Sequence, residues 1–268
     1  MKKNLRRLYF SFILNIIMII LAVSSLIMEI VHLYTHRESS IYINIWGLFR
    51  YFTIDGNIIS LVFNIIIFIK QLKAVIKSDG VDIKSIIITH FLFTISLMSA
   101  CTELVIFITV VLIFLPTADH EWVMGLVGSY NASSFHITIP ILLTFRFLFL
   151  DVRERDFKLY EKFFGGLPMF IYGTIMLILC GAKVFTSFDK SQGDGKIPYP
   201  FLDIYHQAWY YCTFIAIFIF AFGFGIGFLL EFLNKKFEKL IFPYDFSKDS
   251  QENVSEEFLI ETNNVLYI

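Results

Sequence analysis

The sequence predicts an all-α fold, a polytopic transmembrane bundle of six helices with both termini cytoplasmic. Three observations lead there. Of 268 residues, 57% are hydrophobic and only 17% are charged, with a mean hydropathy of +0.70, whereas soluble domains carry about 45–50% apolar and about 25% charged residues. The apolar residues gather into six long stretches, and a helix needs roughly 20 such residues to cross the hydrocarbon core. Lysine and arginine are unevenly shared between the connections, as membrane topology demands. The same balance excludes a disordered chain, a collagen and an ordinary soluble enzyme. A net charge of −1, with no basic block left over from topology, excludes a nucleic-acid partner.

The spans are expected at about Leu8–Tyr34, Phe52–Val75, Ser85–Leu115, Ala132–Leu150, Leu167–Phe185 and Ala208–Leu233. Each is too long and too uniformly apolar for a strand, since a transmembrane barrel alternates over segments of about ten residues. The first follows Lys2, Lys3, Arg6 and Arg7 and so resembles a secretory signal, but its apolar run reaches Val31 with only Glu29 inside it. A signal's apolar core is about 7–15 residues, so an uncleaved first span is expected. Sixteen of the 22 Lys and Arg then fall on one side, in four groups: 2, 3, 6 and 7; 70, 73, 77 and 84; 153, 155, 158 and 162; 235, 236, 239 and 248. Only Arg37, Arg50, Lys183, Lys190 and Lys196 fall on the other, and Arg146 sits inside a span. The richer side is read as cytoplasmic. Trp46, Trp122 and Trp209 fall at the outer ends, where an aromatic belt belongs. The chain divides into a transmembrane domain, 1–234, and a charged cytoplasmic tail, 235–268, ending in the acidic run Glu252, Glu256, Glu257 and Glu261. The localisation expected is a bacterial plasma membrane.

Cys101, Cys180 and Cys212 all lie in spans, and an odd count without ligand spacing argues against a disulfide framework or a zinc site. No cofactor and no metal is expected. Ionisable groups inside spans are costly and often mark function, so their depth matters. Glu29 lies about a turn below the outer end of the first span, and Glu103 lies deeper, in the outer half of the third. His90 and Arg146 fall in inner halves, and Arg146 precedes a charge run, Asp151 to Asp156, read as a solvated loop. Asn131-Ala132-Ser133 matches a glycosylation sequon on the outer side. Gly223, Gly225 and Gly227 in the last span are read as packing positions.

At a rise of about 1.5 Å per residue, Thr53 and His136 reach nearly equal depth near the outer interface. Thr53 and Asn57 are four apart and share a helix face, and Gly56 between them permits close helix approach. A hydroxyl, an imidazole and an amide at one depth are the parts of a nucleophilic site: a nucleophile, a base and an oxyanion donor or orienting group. Glu29 and Glu103 are candidates to orient the histidine. Each residue also has a purely structural role open to it: a membrane Thr commonly bonds its own i−4 carbonyl, and Asn commonly links helices.

Three stretches together resemble a known family. They are Phe49-Arg50-Tyr51-Phe52-Thr53-Ile54-Asp55-Gly56-Asn57, then His136-Ile137-Thr138-Ile139-Pro140 opening the fourth span, then Pro198-Tyr199-Pro200-Phe201-Leu202-Asp203 before the sixth. Their order and placement are similar to those of the androgen-induced and androgen-dependent TFPI-regulating membrane proteins, and more so to the bacterial six-helix relatives of that family. The resemblance implies a membrane threonine hydrolase of fatty acid esters, with Thr53 at the nucleophile's position and His136 at that of the family's histidine. Asn57 matches a frequent bacterial motif position. Arg146 departs from the pattern, because an acidic residue is frequent near that place in the bacterial relatives.

Two functions are therefore carried forward. The first is a lipid-ester hydrolase, or a transacylase with the same site, whose partners are membrane lipids and a lipid-ester substrate. The second is a non-catalytic membrane protein, a small transporter, sensor or scaffold, in which Glu29, Glu103, His90, Arg146 and Lys183 form a polar pathway or join the helices. The sequence leaves oligomeric state open.

Overall fold

The computed structural model describes residues 2–35, 52–76, 87–114, 124, 128–153, 155–182 and 208–241. Trp46, Trp122, Lys183, the Pro198–Asp203 segment and the tail beyond Ile241 lie outside the described residues. Among the described residues six helices are long and apolar enough to cross a membrane. We number them α1 (Lys2–Thr35), α2 (Phe52–Ile76), α3 (His90–Ile108, continued by a π segment, Thr109–Phe114), α4 (Tyr130–Phe149), α5 (Leu159–Gly181) and α6 (Trp209–Ile241). Helices are the expected solution, because lipid offers no partner to a backbone N–H or C=O and a helix satisfies them internally.

The start of α1, the end of α2, the start of α3 and the end of α4 meet at one end of the bundle, where Arg7, Lys70, Ile88 and Asp151 line a common hollow. The end of α6 joins them through Arg153 and Glu238. We call this end basal and the opposite end apical. Successive helices therefore alternate in direction, as short connections between spans require.

Helix α3 is the centre. Of its membrane window 56% is buried, against 22% for α6. Phe93, Leu97, Ala100 and Cys101 on α3 pack with Phe63 and Ile67 on α2, Phe147 on α4 and Leu230 on α6. Glycines permit the closest approaches. A Cβ at Gly56 would lie 2.7 Å from Thr102 Cγ2 on α3. A Cβ at Gly165 would lie 2.8 Å from the Gly227 Cα, which brings α5 backbone against α6 backbone. Gly225 faces open space, so of the three glycines expected to pack, Gly223 and Gly227 do so.

Three local departures from the sequence reading have physical causes. Helix α3 begins at His90, because Ile87–Ile88 are drawn into a two-residue parallel pairing with Val152–Arg153. Helix α5 begins at Leu159 with a 3-10 stretch through Gly166, so Glu161 and Lys162 belong to it. Helix α6 runs on to Ile241, past the boundary expected at 234, because Lys235 and Glu238 find ion-pair partners on the 150s segment.

Candidate functional site

The apical site is built on the first turns of α2 and α4. Helix α4 is irregular there: an α-helical turn, Tyr130–Ser133, gives way to a π segment, Ser134–Thr138, before regular helix resumes at Ile139. Pro140 supplies a reason. It has no N–H to give to the carbonyl of His136 one turn earlier, so the regular ladder cannot be kept. His136 sits inside the widened turn, half-buried. Its Nδ1 lies 2.9 Å from the Ala132 carbonyl oxygen. A carbonyl only accepts, so Nδ1 carries the proton and Nε2 is the nitrogen with the lone pair.

Asn57 on α2 is buried and joins the two turns. Its Nδ2 donates to the Thr53 carbonyl at 2.8 Å and to the Phe135 carbonyl at 3.4 Å. An amide nitrogen has two hydrogens, and both are engaged. Asn57 therefore has none left for an oxyanion, and it ties the first turns of α2 and α4 together instead. Thr53, one turn above, is half-buried. Among the described residues no hydrogen bond joins the Thr53 hydroxyl to His136.

Neither carboxylate orients the histidine through a bond. Glu29 accepts from Asn131 Nδ2, whose Oδ1 in turn accepts from Ser129. The asparagine of the sequon is thus engaged between α1 and α4. Glu103 is fully buried and accepts from Ser60 Oγ at 2.8 Å, and its second oxygen has no hydrogen-bond partner. A shallow surface crevice lies beside the site between α1, α2 and α4, with no enclosed room for a water molecule. Ala22, Leu26, Ile58 and Leu61 line it, together with Ile54 and Phe135, the chain neighbours of Thr53 and His136.

The basal half holds a second polar assembly, and most of it was missed in the sequence. Arg146 has no exposed surface. Its Nη1 donates to Asn15 Oδ1 at 2.6 Å and to Asn64 Oδ1, its Nη2 donates to Ser96 Oγ at 3.3 Å, and its Nε lies 3.5 Å from Asp151. The Phe63 ring lies 5.0 Å away beneath the guanidinium. Asn15 passes the network to Gln71 at 2.6 Å, and Gln71 to Ser11 at 2.7 Å. A layer below, Arg153 pairs with Glu231 at 2.7 Å and Glu238 at 2.8 Å, and donates to Asn234 at 2.7 Å. Lys162 also pairs with Glu231, at 2.8 Å.

The run from Asp151 is solvated only in part: Asp151 and Arg153 are buried, whereas Arg155 and Asp156 are exposed. His90 faces Glu161 at 3.1 Å. A signal was present in the sequence. Ser11, Asn15, Ser25 and Glu29 on α1 are 4, 10 and 4 residues apart, and Asn57, Ser60, Asn64 and Gln71 on α2 are 3, 4 and 7 apart, all sums of three- and four-residue steps. That spacing places each set on one helix face. Among the described residues no group of three His, Cys, Asp or Glu side chains could hold a metal ion. Compared with known proteins, the chain matches no family model, no curated sequence and no solved structure.

Proposed function

We propose that the protein is an integral membrane hydrolase of lipid esters, with Thr53 as nucleophile and His136 as general base. The observation that carries the reading is the Nδ1–H bond of His136 to the Ala132 carbonyl. It fixes the tautomer that a base needs and leaves Nε2 to take a proton. The motif resemblance at Phe52-Thr53 through Asn57 and at His136 through Pro140 points the same way.

In this reading Thr53 Oγ attacks the ester carbonyl as its proton passes to His136 Nε2. The tetrahedral intermediate collapses, the alcohol leaves with that proton, and an acyl-threonine remains. Water then attacks the acyl carbon as one of its protons passes to His136, and the second tetrahedral intermediate collapses with that proton returned to Thr53 Oγ, which releases the fatty acid and restores Thr53. An alcohol in place of water would make the reaction a transacylation. The Thr53–His136 hydrogen bond forms with substrate in place, since catalytic bonds often tighten only in the complex. By the charge distribution the basal end is cytoplasmic and the site opens toward the other face of a bacterial plasma membrane.

The test is labelling of the purified protein with a fluorophosphonate probe in wild type, Thr53→Ala and His136→Ala, each checked for equal insertion and folding. Labelling is expected in the wild type alone, with lipid-ester turnover reduced by about 10³-fold or more in both variants. Equal labelling in all three, or none in any, overturns the reading. The buried Arg146 assembly favours a second one, a non-catalytic bundle whose polar groups join the helices. That reading predicts no labelling and loss of folding on disrupting Arg146.

A further inference from the structure

In the apical half, α2 and α3 meet around a carboxylate that no positive charge answers. Glu103 on α3 accepts from Ser60 Oγ on α2 at 2.8 Å, and its second oxygen has no hydrogen-bond partner. Among the described residues no Lys, Arg or His nitrogen comes within ion-pairing distance of it. We propose that Glu103 anchors a binding site for one monovalent cation, a proton or a sodium ion.

Two contacts fix how the helices meet there: the Ser60–Glu103 bond, and the close approach of Gly56 to the Thr102 methyl. Asn57 is three residues from Ser60, and Ser99 is four from Glu103, so each shares the helix face that makes the bond. Asn57 Oδ1, Ser99 Oγ and Thr102 Oγ1 also lack a hydrogen-bond partner, and none of these five side chains is more than 2% exposed. The amide hydrogens of Asn57 go to the Thr53 and Phe135 carbonyls, which leaves its oxygen as an acceptor only. The two faces therefore carry neutral oxygens around a single carboxylate. The other titratable groups do not balance it. Arg146 faces Asp151 in the basal half, and His136 bonds the Ala132 carbonyl. Glu29 bonds Asn131, and Asp55, half-buried in the first turn of α2, is itself an acid. An ionised carboxylate in a dry interior is very costly unless a positive charge meets it. A bound proton cancels the charge and turns the free oxygen into a donor. A sodium ion cancels it and takes carboxylate, hydroxyl and amide oxygens as ligands, the donor set that hard cations select. Carboxylates inside membrane spans mark ion and proton sites for this reason. The inference does not rest on the Thr53–His136 reading.

The experiment uses the full-length protein in an uncharged detergent near neutral pH. Infrared difference spectra compare wild type with Glu103→Gln, in sodium chloride and in choline chloride, and equilibrium dialysis counts bound radiolabelled sodium. A protonated-carboxyl carbonyl band that Glu103→Gln lacks, present in both salts, assigns the site to a proton. One saturable sodium per chain, lost in Glu103→Gln, assigns it to sodium. Ser60→Ala keeps the carboxylate but removes its one donor, so it should shift the carbonyl band or weaken sodium binding roughly tenfold. It decides the matter if Glu103→Gln does not fold: an unmoved band with unchanged sodium binding then overturns the proposal. Glu29→Gln, whose carboxylate has its own partner on α4, should leave both signals unchanged. The proposal is also overturned if the wild type shows neither the band nor bound sodium, if Glu103→Gln alters neither signal, or if Glu29→Gln removes the same signal.

Discussion

The basal and apical halves of the bundle handle buried polarity in opposite ways. In the basal half every ionic group of the central assembly meets a group of opposite charge. Arg146 faces Asp151, and Arg153 faces Glu231 and Glu238, with Asn15, Asn64, Ser96 and Asn234 accepting further bonds, although Arg146 Nε and Asp151 Oδ1 approach at 3.5 Å without a hydrogen bond. In the apical half polar groups meet in pairs and some are left over. Glu103 has one oxygen bonded to Ser60 and one without a hydrogen bond, and the Asn57 carbonyl oxygen and the Thr102 hydroxyl also lack a partner. A buried ion-paired network resists change because removing one charge strands its partner. The apical polar groups lack such pairing, so each is held by one or two hydrogen bonds. The comparison assigns an architectural role to the basal half; the chemistry of the proposal would fall to the apical half.

The largest effect should come from the basal half. Arg146→Leu leaves Asp151 buried without its countercharge and Asn15 and Asn64 without their donor. Loss of a buried ion-pair partner costs about 3–5 kcal/mol, so denaturant unfolding in mixed micelles should show a drop of that order, or no folded protein. Glu103→Gln in the apical half is the counterpart. A glutamine oxygen still accepts from Ser60, so the change should stay within about 1 kcal/mol. Equal losses at the two positions would break the comparison.

The two asparagines of α2 sharpen it on a smaller scale. Asn64 bonds Arg146, and Asn57 bonds two backbone carbonyls beside Thr53 and His136. Asn64→Ala should cost stability within the range for membrane hydrogen bonds, about 0.6–1.7 kcal/mol, and leave probe labelling intact. Asn57→Ala should reduce labelling more than stability. The reverse pattern in paired unfolding and labelling measurements would exchange the roles assigned to the halves.

The smallest effect lies at the basal rim. Burial pushes the Asp156 carboxyl up, but the ion pair with Lys235 and the charges of Arg153 and Lys239 outweigh it and hold the carboxyl below its ordinary range. A depressed carboxylate stabilises the fold fully above its ordinary range, and that contribution fades as pH falls through the lowered value. Asp156→Asn should therefore cost less than about 1 kcal/mol near neutral pH, as an exposed pair does. It should also flatten the acid limb of a stability–pH profile. An unchanged acid limb would show that the rim pair contributes nothing.

How much of this was legible varies with the range of the interaction. The apical residues were readable because Thr53 and Asn57 are local to one helix face and His136 begins another span near the same depth. Their exact support was not, because the group holding His136 is the backbone carbonyl of Ala132, freed for that bond within a widened turn whose place the sequence marks only through Pro140. The basal assembly was largely illegible. Arg146 was visible as a charge in a span, but its partners Asn15 and Asn64 lie 131 and 82 residues away. Nothing local distinguishes those asparagines from ordinary links between helices.

By itself the sequence determined that the chain forms six membrane-length helices, because bilayer thickness and the need to satisfy the backbone in lipid act on each segment separately. It also determined which faces are polar, through spacing alone. The tertiary structure decided which polar faces meet. Helix neighbours are chosen by side-chain packing, by glycine contacts such as Gly165 on Gly227, and by the pairing of charges that cannot remain alone in a dry interior. That choice turned Arg153, within a charge run read as a loop, into the buried anchor of α6, and Arg146 into the junction of four helices.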